Sequence, residues 1–214
     1  MFSVDSVSLR YGTRPILNGC YLQVEDGEVL GLLGRNGSGK SSLLKLIFGS
    51  ISAQYLHLKV NGTHLKKPAF KSKDFAYLAQ DGFLPWYISV SDVVADFDNE
   101  HQFLLQHPLI DKIKLHRIKE LSGGEQRFLE TLWILSRPVQ HLLLDEPFAG
   151  ISPIAIEFLQ EMIRKVGQTK SIILTDHRYR ELLAVTDRVV LLHNQDIYPI
   201  HSEEDLIFHQ YIPA

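Results

Sequence analysis

Gly34-Arg35-Asn36-Gly37-Ser38-Gly39-Lys40-Ser41 is the stretch from which the rest of this chain is read. It matches the spacing G-x-x-x-x-G-K-[ST] at every fixed position. The apolar run Val29-Leu30-Gly31-Leu32-Leu33 precedes it, and Leu43, Leu44 and Ile47 follow at helical spacing. A buried strand, a glycine-rich loop and a helix are therefore expected in that order. The glycines let the backbone curl until several N–H groups face one point. The positive end of the following helix adds to the same field, so the loop suits a polyanion. Lys40 has the reach to meet the outer phosphates of such a ligand, and the Ser41 hydroxyl can ligate a hard cation such as Mg²⁺.

Outward from this loop the chain alternates helix and strand. Phe75–Ala79 reads as a buried strand, residues 88–118 as mainly helical with Pro108 as a break, and Glu125–Leu135 as a helix. Leu142–Leu144 and Ile172–Leu174 flank a helix around Ile154–Val166, the rhythm of a parallel sheet covered by helices. A final hairpin, Val189–Leu192 then Ile197–Ile200, is expected to close the chain. Towards the N-terminus, Phe2, Val4, Val7 and Leu9 stand among polar neighbours as in a strand, with a turn at Tyr11–Pro15. Asp26-Gly27 marks another turn and Asn61-Gly62 a hairpin. The fold class predicted is α/β: a parallel sheet flanked by helices, with an N-terminal antiparallel β subdomain. One domain over residues 1–214 is expected, with a short helical subdomain at about 81–135.

The bulk properties exclude several alternatives. A net charge of −3 and no Lys/Arg-rich tail give no reason to expect nucleic acid. Cys20 is the single cysteine, so no intramolecular disulfide can form, in keeping with a reducing compartment. The first residues lack the basic and apolar regions of a signal peptide, and no apolar run approaches the ~18 residues needed to cross a bilayer. A membrane role would need a second chain.

His141-Leu142-Leu143-Leu144-Asp145-Glu146-Pro147 is an apolar strand that ends in two acids. In a parallel sheet, ligands lie beyond the carboxyl ends of the strands. Asp145 is placed to hold the shell of a cation, and Glu146 to orient or deprotonate an attacking water. A second glycine-rich lead, Leu121-Ser122-Gly123-Gly124-Glu125-Gln126, opens the helix from Glu125, so N–H groups and a hydroxyl again face a candidate anion site.

This last segment resembles the signature motif of ATP-binding cassette proteins, and the resemblance extends over essentially the whole chain. It implies a P-loop NTPase core that binds ATP with Mg²⁺ and hydrolyses it. It further implies that Gly34, Arg35, Asn36, Gly37, Ser38, Gly39, Lys40, Ser41, Ser42 and Gln80 contact nucleotide, with Tyr11 stacking on adenine. Ser41, Gln80 and Asp145 would serve the metal, and Glu146 and His177 the hydrolysis. Leu121, Ser122, Gly123, Gly124 and Glu125 would act in trans, closing on the nucleotide of a second cassette, identical or paired. The implied partner is an integral membrane permease. The chain would then sit in the cytoplasm, peripheral to the membrane face. The resemblance also leaves room for a cassette serving a cytosolic assembly, or a slow nucleotide-gated regulator.

Two departures stand out. The family places an aspartate where this chain has Ser152, which touches communication between the two active sites; Ser152-Pro153 still makes a good helix start, Ser as cap and Pro in the first turn. The stretch from Gln80 to Leu121 is short for the family, and its Trp86, Tyr87, Phe97 and Phe103 are either core or a docking patch.

Overall fold

The computed structural model describes residues 1–213 and resolves the chain into two sheets with helices around them. An antiparallel sheet is built from β1 (Phe2–Tyr11), β2 (Arg14–Val24), β4 (Tyr55–Val60) and β5 (Thr63–His64), in the order β2-β1-β4-β5. The main sheet holds β3 (Val29–Leu33), β6 (Phe75–Leu78), β7 (His141–Asp145), β8 (Ser171–Thr175), β9 (Arg188–His193) and β10 (Asp196–Ile200). Its order is β10-β9-β3-β8-β7-β6, parallel throughout except for β10, which returns antiparallel beside β9.

The apolar runs explain why this sheet is central. Successive side chains of a strand point to opposite faces, so a strand buried on both sides is apolar through its middle. Leu30 and Leu32 of β3, Leu143 of β7 and Ile173 of β8 pack towards the N-terminal sheet and helix α1 (Lys40–Phe48). Val29, Leu33, Leu142, Leu144, Ile172 and Leu174 pack on the other face. There they meet α4 (Gly123–Leu135) and α5 (Pro153–Gly167) through Phe128, Leu132, Ile156 and Leu159. Truncating one of these leucines to alanine would cost about 2–5 kcal/mol, because the hole between two layers cannot collapse freely. His141 opens β7 fully buried against Phe2 and Phe75, and burial pushes its imidazole down to about 4, so it is neutral at pH 7.

The turns at Gly12, Asp26-Gly27 and Asn61-Gly62 lie where the sequence placed them. Three expectations need correction. Residues 88–118 are helical only in pieces: α2 (Val90–Ala95), a 3₁₀ stretch at Asn99–Leu105 and α3 (Pro108–Ile113). Pro108 starts α3, at its first turn where the missing N–H costs nothing, and does not merely interrupt. The β9–β10 hairpin does not close the chain, since α7 (Glu203–Phe208) follows; α6 (Tyr179–Leu183) likewise had no expectation. Ser152 precedes α5 with extended backbone, but its hydroxyl makes no capping bond, so only Pro153 fulfils the helix-start reading.

The four aromatics of the helical region divide. Phe97 is buried, and Phe103 lies under the Lys165 ammonium at 3.8 Å. Trp86 and Tyr87 are 64% and 60% exposed, too open to be core. Among the described residues no helix is long and apolar enough to cross a membrane.

Candidate functional site

β3 delivers the chain to Gly34, and the loop to Ser41 folds as a tight nest on the first turn of α1. Gly34 and Gly39 have φ of 159° and 113°. A Cβ at Gly34 would lie 2.5 Å from Ser38 Oγ, and one at Gly39 2.8 Å from Ile16, so both positions exclude other residues. Lys40 is buried, and its Nζ donates to the carbonyls of Gly34 (2.7 Å) and Arg35 (3.3 Å). Burial lowers its pKa, while Glu146, Asp145 and Asp176 oppose that shift. Ser38 Oγ is buried without a hydrogen-bond partner. A free donor, a cation whose hydrogen bonds go to carbonyls and the open first turn of a helix together fit a phosphate chain.

The acid pair closes the other side of the loop. Asp145 is fully buried at the end of β7. Its Oδ1 accepts from the hydroxyls of Ser41 (3.1 Å) and Thr175 (2.8 Å), and its Oδ2 from Tyr77 (3.1 Å). Burial and the neighbouring Asp145 together drive the Tyr77 pKa up, so the phenol stays a donor. Glu146 is half-buried and left-handed, with φ of 56°. Such a conformation costs a non-glycine residue about 1–3 kcal/mol and persists only when neighbours hold it. The Glu146 N–H donates to the Thr175 carbonyl at 2.8 Å. The result aims its carboxylate at Gln80 Nε2 (3.4 Å) and His177 Nδ1 (3.6 Å). Asp176, fully buried with its pKa raised by burial, accepts from the N–H groups of Phe148 and Arg178 and fixes the loops on both sides.

These groups line one open cleft of ≈ 580 Å³: Asn36, Gly37, Gly39, Lys40, Ser41, Ser42, Gln80, Glu146 and His177. Tyr11 forms the far wall at 55% exposure, its phenol 3.4 Å from Ser42 Oγ, and so is not a core residue. Arg35 contributes backbone only, since its guanidinium turns away to the Gln210 carbonyl. Arg14 and Ile16 also line the cleft; Arg14 was read only as part of the Tyr11–Pro15 turn, and Ile16 is the apolar residue just after it. Tyr77 and Thr175 were missed as well, and their signal was a hydroxyl at the carboxyl end of a strand beside the acid pair.

Leu121–Glu125 does not join this cleft. Ser122 is exposed at the start of α4, and Gly123 and Gly124 border a separate cavity of ≈ 610 Å³ with Gln80, Arg127 and Gly150. The Ser122 hydroxyl and N–H are engaged with Glu125 in a capping box, and Glu125 also meets Lys112 at 3.4 Å. Gly124 lies so close to the loop after the acid pair that a Cβ there would sit 2.2 Å from the Gly150 carbonyl.

The family model described as "ABC transporter" matches residues 17–149. Among curated proteins, the chain is 28% identical to the lipopolysaccharide export system ATP-binding protein LptB of Acidithiobacillus ferridurans, covering 97% of this chain and 92% of that one. It is also 28% identical to the taurine import ATP-binding protein TauB of Escherichia coli O157:H7, covering 90% and 79%. Among solved structures, an ATP binding subunit of an ABC transporter superposes with a TM-score of 0.82 at 22% identity, covering 99% of this chain and 93% of that one. A nucleotide-free ATP-binding cassette from an ABC transporter also gives 0.82, at 18% identity over 100% and 96%. At those identities the two structures establish the fold.

Proposed function

Because the chain belongs to the ABC transporter family, we propose that it is the ATP-hydrolysing subunit of a membrane transporter, working as a pair of cassettes that share ATP between them. The observation that carries this reading is the cleft, where the loop, Glu146 and His177 meet with Tyr11 opposite, and Asp145 lies beneath, bonded to Ser41. The α1 start, Ser38 and Lys40 bind the phosphates, and Tyr11 offers its ring face to the base. The acidic and hydroxyl groups fit Mg²⁺, which takes oxygen ligands and one or two carboxylates beside phosphate. Ser41 and Asp145 would hold it, with Gln80 at the rim. Among the described residues no group of three or more His, Cys, Asp or Glu forms a richer metal cage. When bound, Mg²⁺ neutralises charge on the phosphate oxygens.

Glu146 then orients a water and takes its proton, and His177 stands beside it on the open side of the cleft. The exposed Ser122–Gly124 start of α4 supports action on the nucleotide of another cassette, since its own cleft lies elsewhere. A mainly apolar groove of ≈ 390 Å³, lined by Phe83, Leu84, Pro85, Ile88, Val93 and Trp133 with Asp92 and Asp96 beside them, would receive the permease. With no membrane-crossing helix among the described residues, membrane attachment would come through that partner.

The variant Glu146→Gln tests the reading. Loss of the base should cut kcat by about 10²–10⁴-fold while ATP still binds, read by phosphate release and by calorimetry. Hydrolysis at the parent rate would remove Glu146 from the reaction. Membrane fractions trapped with this variant should co-purify a polytopic protein; recovery of soluble proteins alone would defeat the transporter part.

A further inference from the structure

The segment that follows α7 reaches back to the phosphate loop. α7 ends at His209, and Gln210 is left-handed with φ of 55°. Glycine usually supplies that conformation at a helix end, and another residue keeps it only where neighbours hold it. Here the turn is closed by the Tyr211 N–H, which donates to the carbonyl of the buried Leu206 at 2.8 Å. The His209 ring lies against Tyr198, with 4.6 Å between centroids, and beside His193 at 5.7 Å. His193 is the last residue of β9, which runs parallel to β3. The segment is therefore anchored next to the point where β3 delivers the chain to Gly34.

Two consecutive residues of the loop meet two consecutive residues of this segment. The Arg35 guanidinium donates to the Gln210 carbonyl, and the Gly34 N–H faces the phenol oxygen of Tyr211. Tyr211 and Ile212 are partly buried against the core beneath the sheet. Burial and the nearby Asp176 raise the Tyr211 pKa, so the phenol is neutral at pH 7. The Gly34 carbonyl, in turn, accepts from Lys40 Nζ at 2.7 Å. Gly34 is thus held at both polar groups: at its carbonyl by the lysine of the cleft, and at its N–H by a residue that does not line the cleft. A phosphate that draws Lys40 to itself takes the first of these holds away. The ties of Gly34 and Arg35 to Tyr211 and Gln210 remain. A loop kept in shape by such ties loses less freedom when its ligand binds.

We propose that Gln210 and Tyr211 are a strap for the phosphate loop: they position Gly34 and Arg35 from outside the cleft and so raise its affinity for the phosphates of the nucleotide. This rests on the reading of the cleft as an ATP site. Neither strap residue lines the cleft, so the strap acts on binding and not on the chemical step.

Tyr211→Phe removes the phenol oxygen and keeps the ring. In the full chain it should speed hydrogen exchange at the Gly34 amide about tenfold and weaken binding of ATP with Mg²⁺ about fivefold by calorimetry. KM should rise by a similar factor with kcat little changed. Arg35→Met, which leaves the Gln210 carbonyl without its donor, should also speed exchange at Gly34 and weaken ATP, and carries the test alone if Tyr211→Phe does not fold. Amides in the first turn of α4, which the strap does not touch, should exchange as in the parent, and this separates a loosened loop from a general loss of stability. Parent-like exchange at Gly34 or a parent-like Kd in a folded variant would overturn the strap, as would a fall in the kcat of Tyr211→Phe with KM unchanged. A parent that binds no ATP would defeat the reading of the cleft, and with it the effect on affinity, while exchange at Gly34 still decides whether the tie exists.

Discussion

Helices α1 and α4 both start on a glycine-rich lead, yet their first turns are finished in opposite ways. α1 has Gly39 as its cap, in the left-handed region and with no side-chain cap bond, so its leading N–H groups are left for a ligand. α4 has Ser122 and Glu125 in a reciprocal box, so the chain itself satisfies much of what an anion would otherwise take. The first turn of α1 lies at the wall of the cleft with a buried lysine, whereas Ser122 is exposed with an acid at its third position. The difference teaches that a glycine-rich lead does not by itself make a resident anion site. The first turn of α1 is left open, whereas that of α4 is already closed by its own side chains.

The largest effect should come from the resident site. Lys40→Ala removes a charged donor from the nest and should weaken ATP binding by about 3 kcal/mol, roughly 100-fold in Kd, by calorimetry. A change below twofold would show that α1 does not hold the phosphates, and the contrast with α4 would collapse. Ser122→Ala should leave ATP binding to the isolated cassette within about twofold, yet lower the concentration-dependent part of ATP hydrolysis about tenfold. The lost cap should also destabilise the chain by about 1 kcal/mol in urea. A large loss of ATP affinity at low protein concentration would place α4 in its own cleft.

The smallest effect is a pH dependence confined to α4. The Ser122 N–H and hydroxyl hold the Glu125 carboxyl below the usual glutamate range, with Lys112 adding to the shift. A folded value below the unfolded one means the stabilisation is complete above the ordinary glutamate pKa and is lost as pH falls through the folded value. Amide hydrogen exchange at Ser122 and Glu125 should therefore lose protection towards acid pH, and Glu125→Gln should flatten that dependence. Equal loss at the first turn of α1, which carries no acid, would show a global effect and not a cap.

What the sequence made legible follows from distance along the chain. The nest at Gly34–Ser41, the pair Asp145-Glu146 and the glycine turns each form from consecutive residues, so spacing alone exposes them. The doubly buried strands were legible because short runs such as Val29–Leu33, Leu142–Leu144 and Ile172–Leu174, bounded by turn and polar residues, have few other uses. Tyr77, Thr175 and Arg127 were not, since each gains its role by meeting Asp145 or its backbone from another part of the chain. The pieces between Val90 and Ile113 are too short for a helical period to show. Ser152 had the right residue type for a cap, but a residue type does not fix where its hydroxyl turns.

The approach of Gly124 to Gly150 has a kinematic consequence. Where a single methyl group would not fit, there is no clearance, and translation of α4 towards that loop is blocked. A rigid displacement of α4 that keeps this contact point in place is a rotation about it. Points near the pivot, including Ser122 and Gly123, travel little, while travel grows in proportion to distance along the helix towards Trp133. In such a rotation the Ser122 end of α4 is the fulcrum, and the Trp133 end travels furthest.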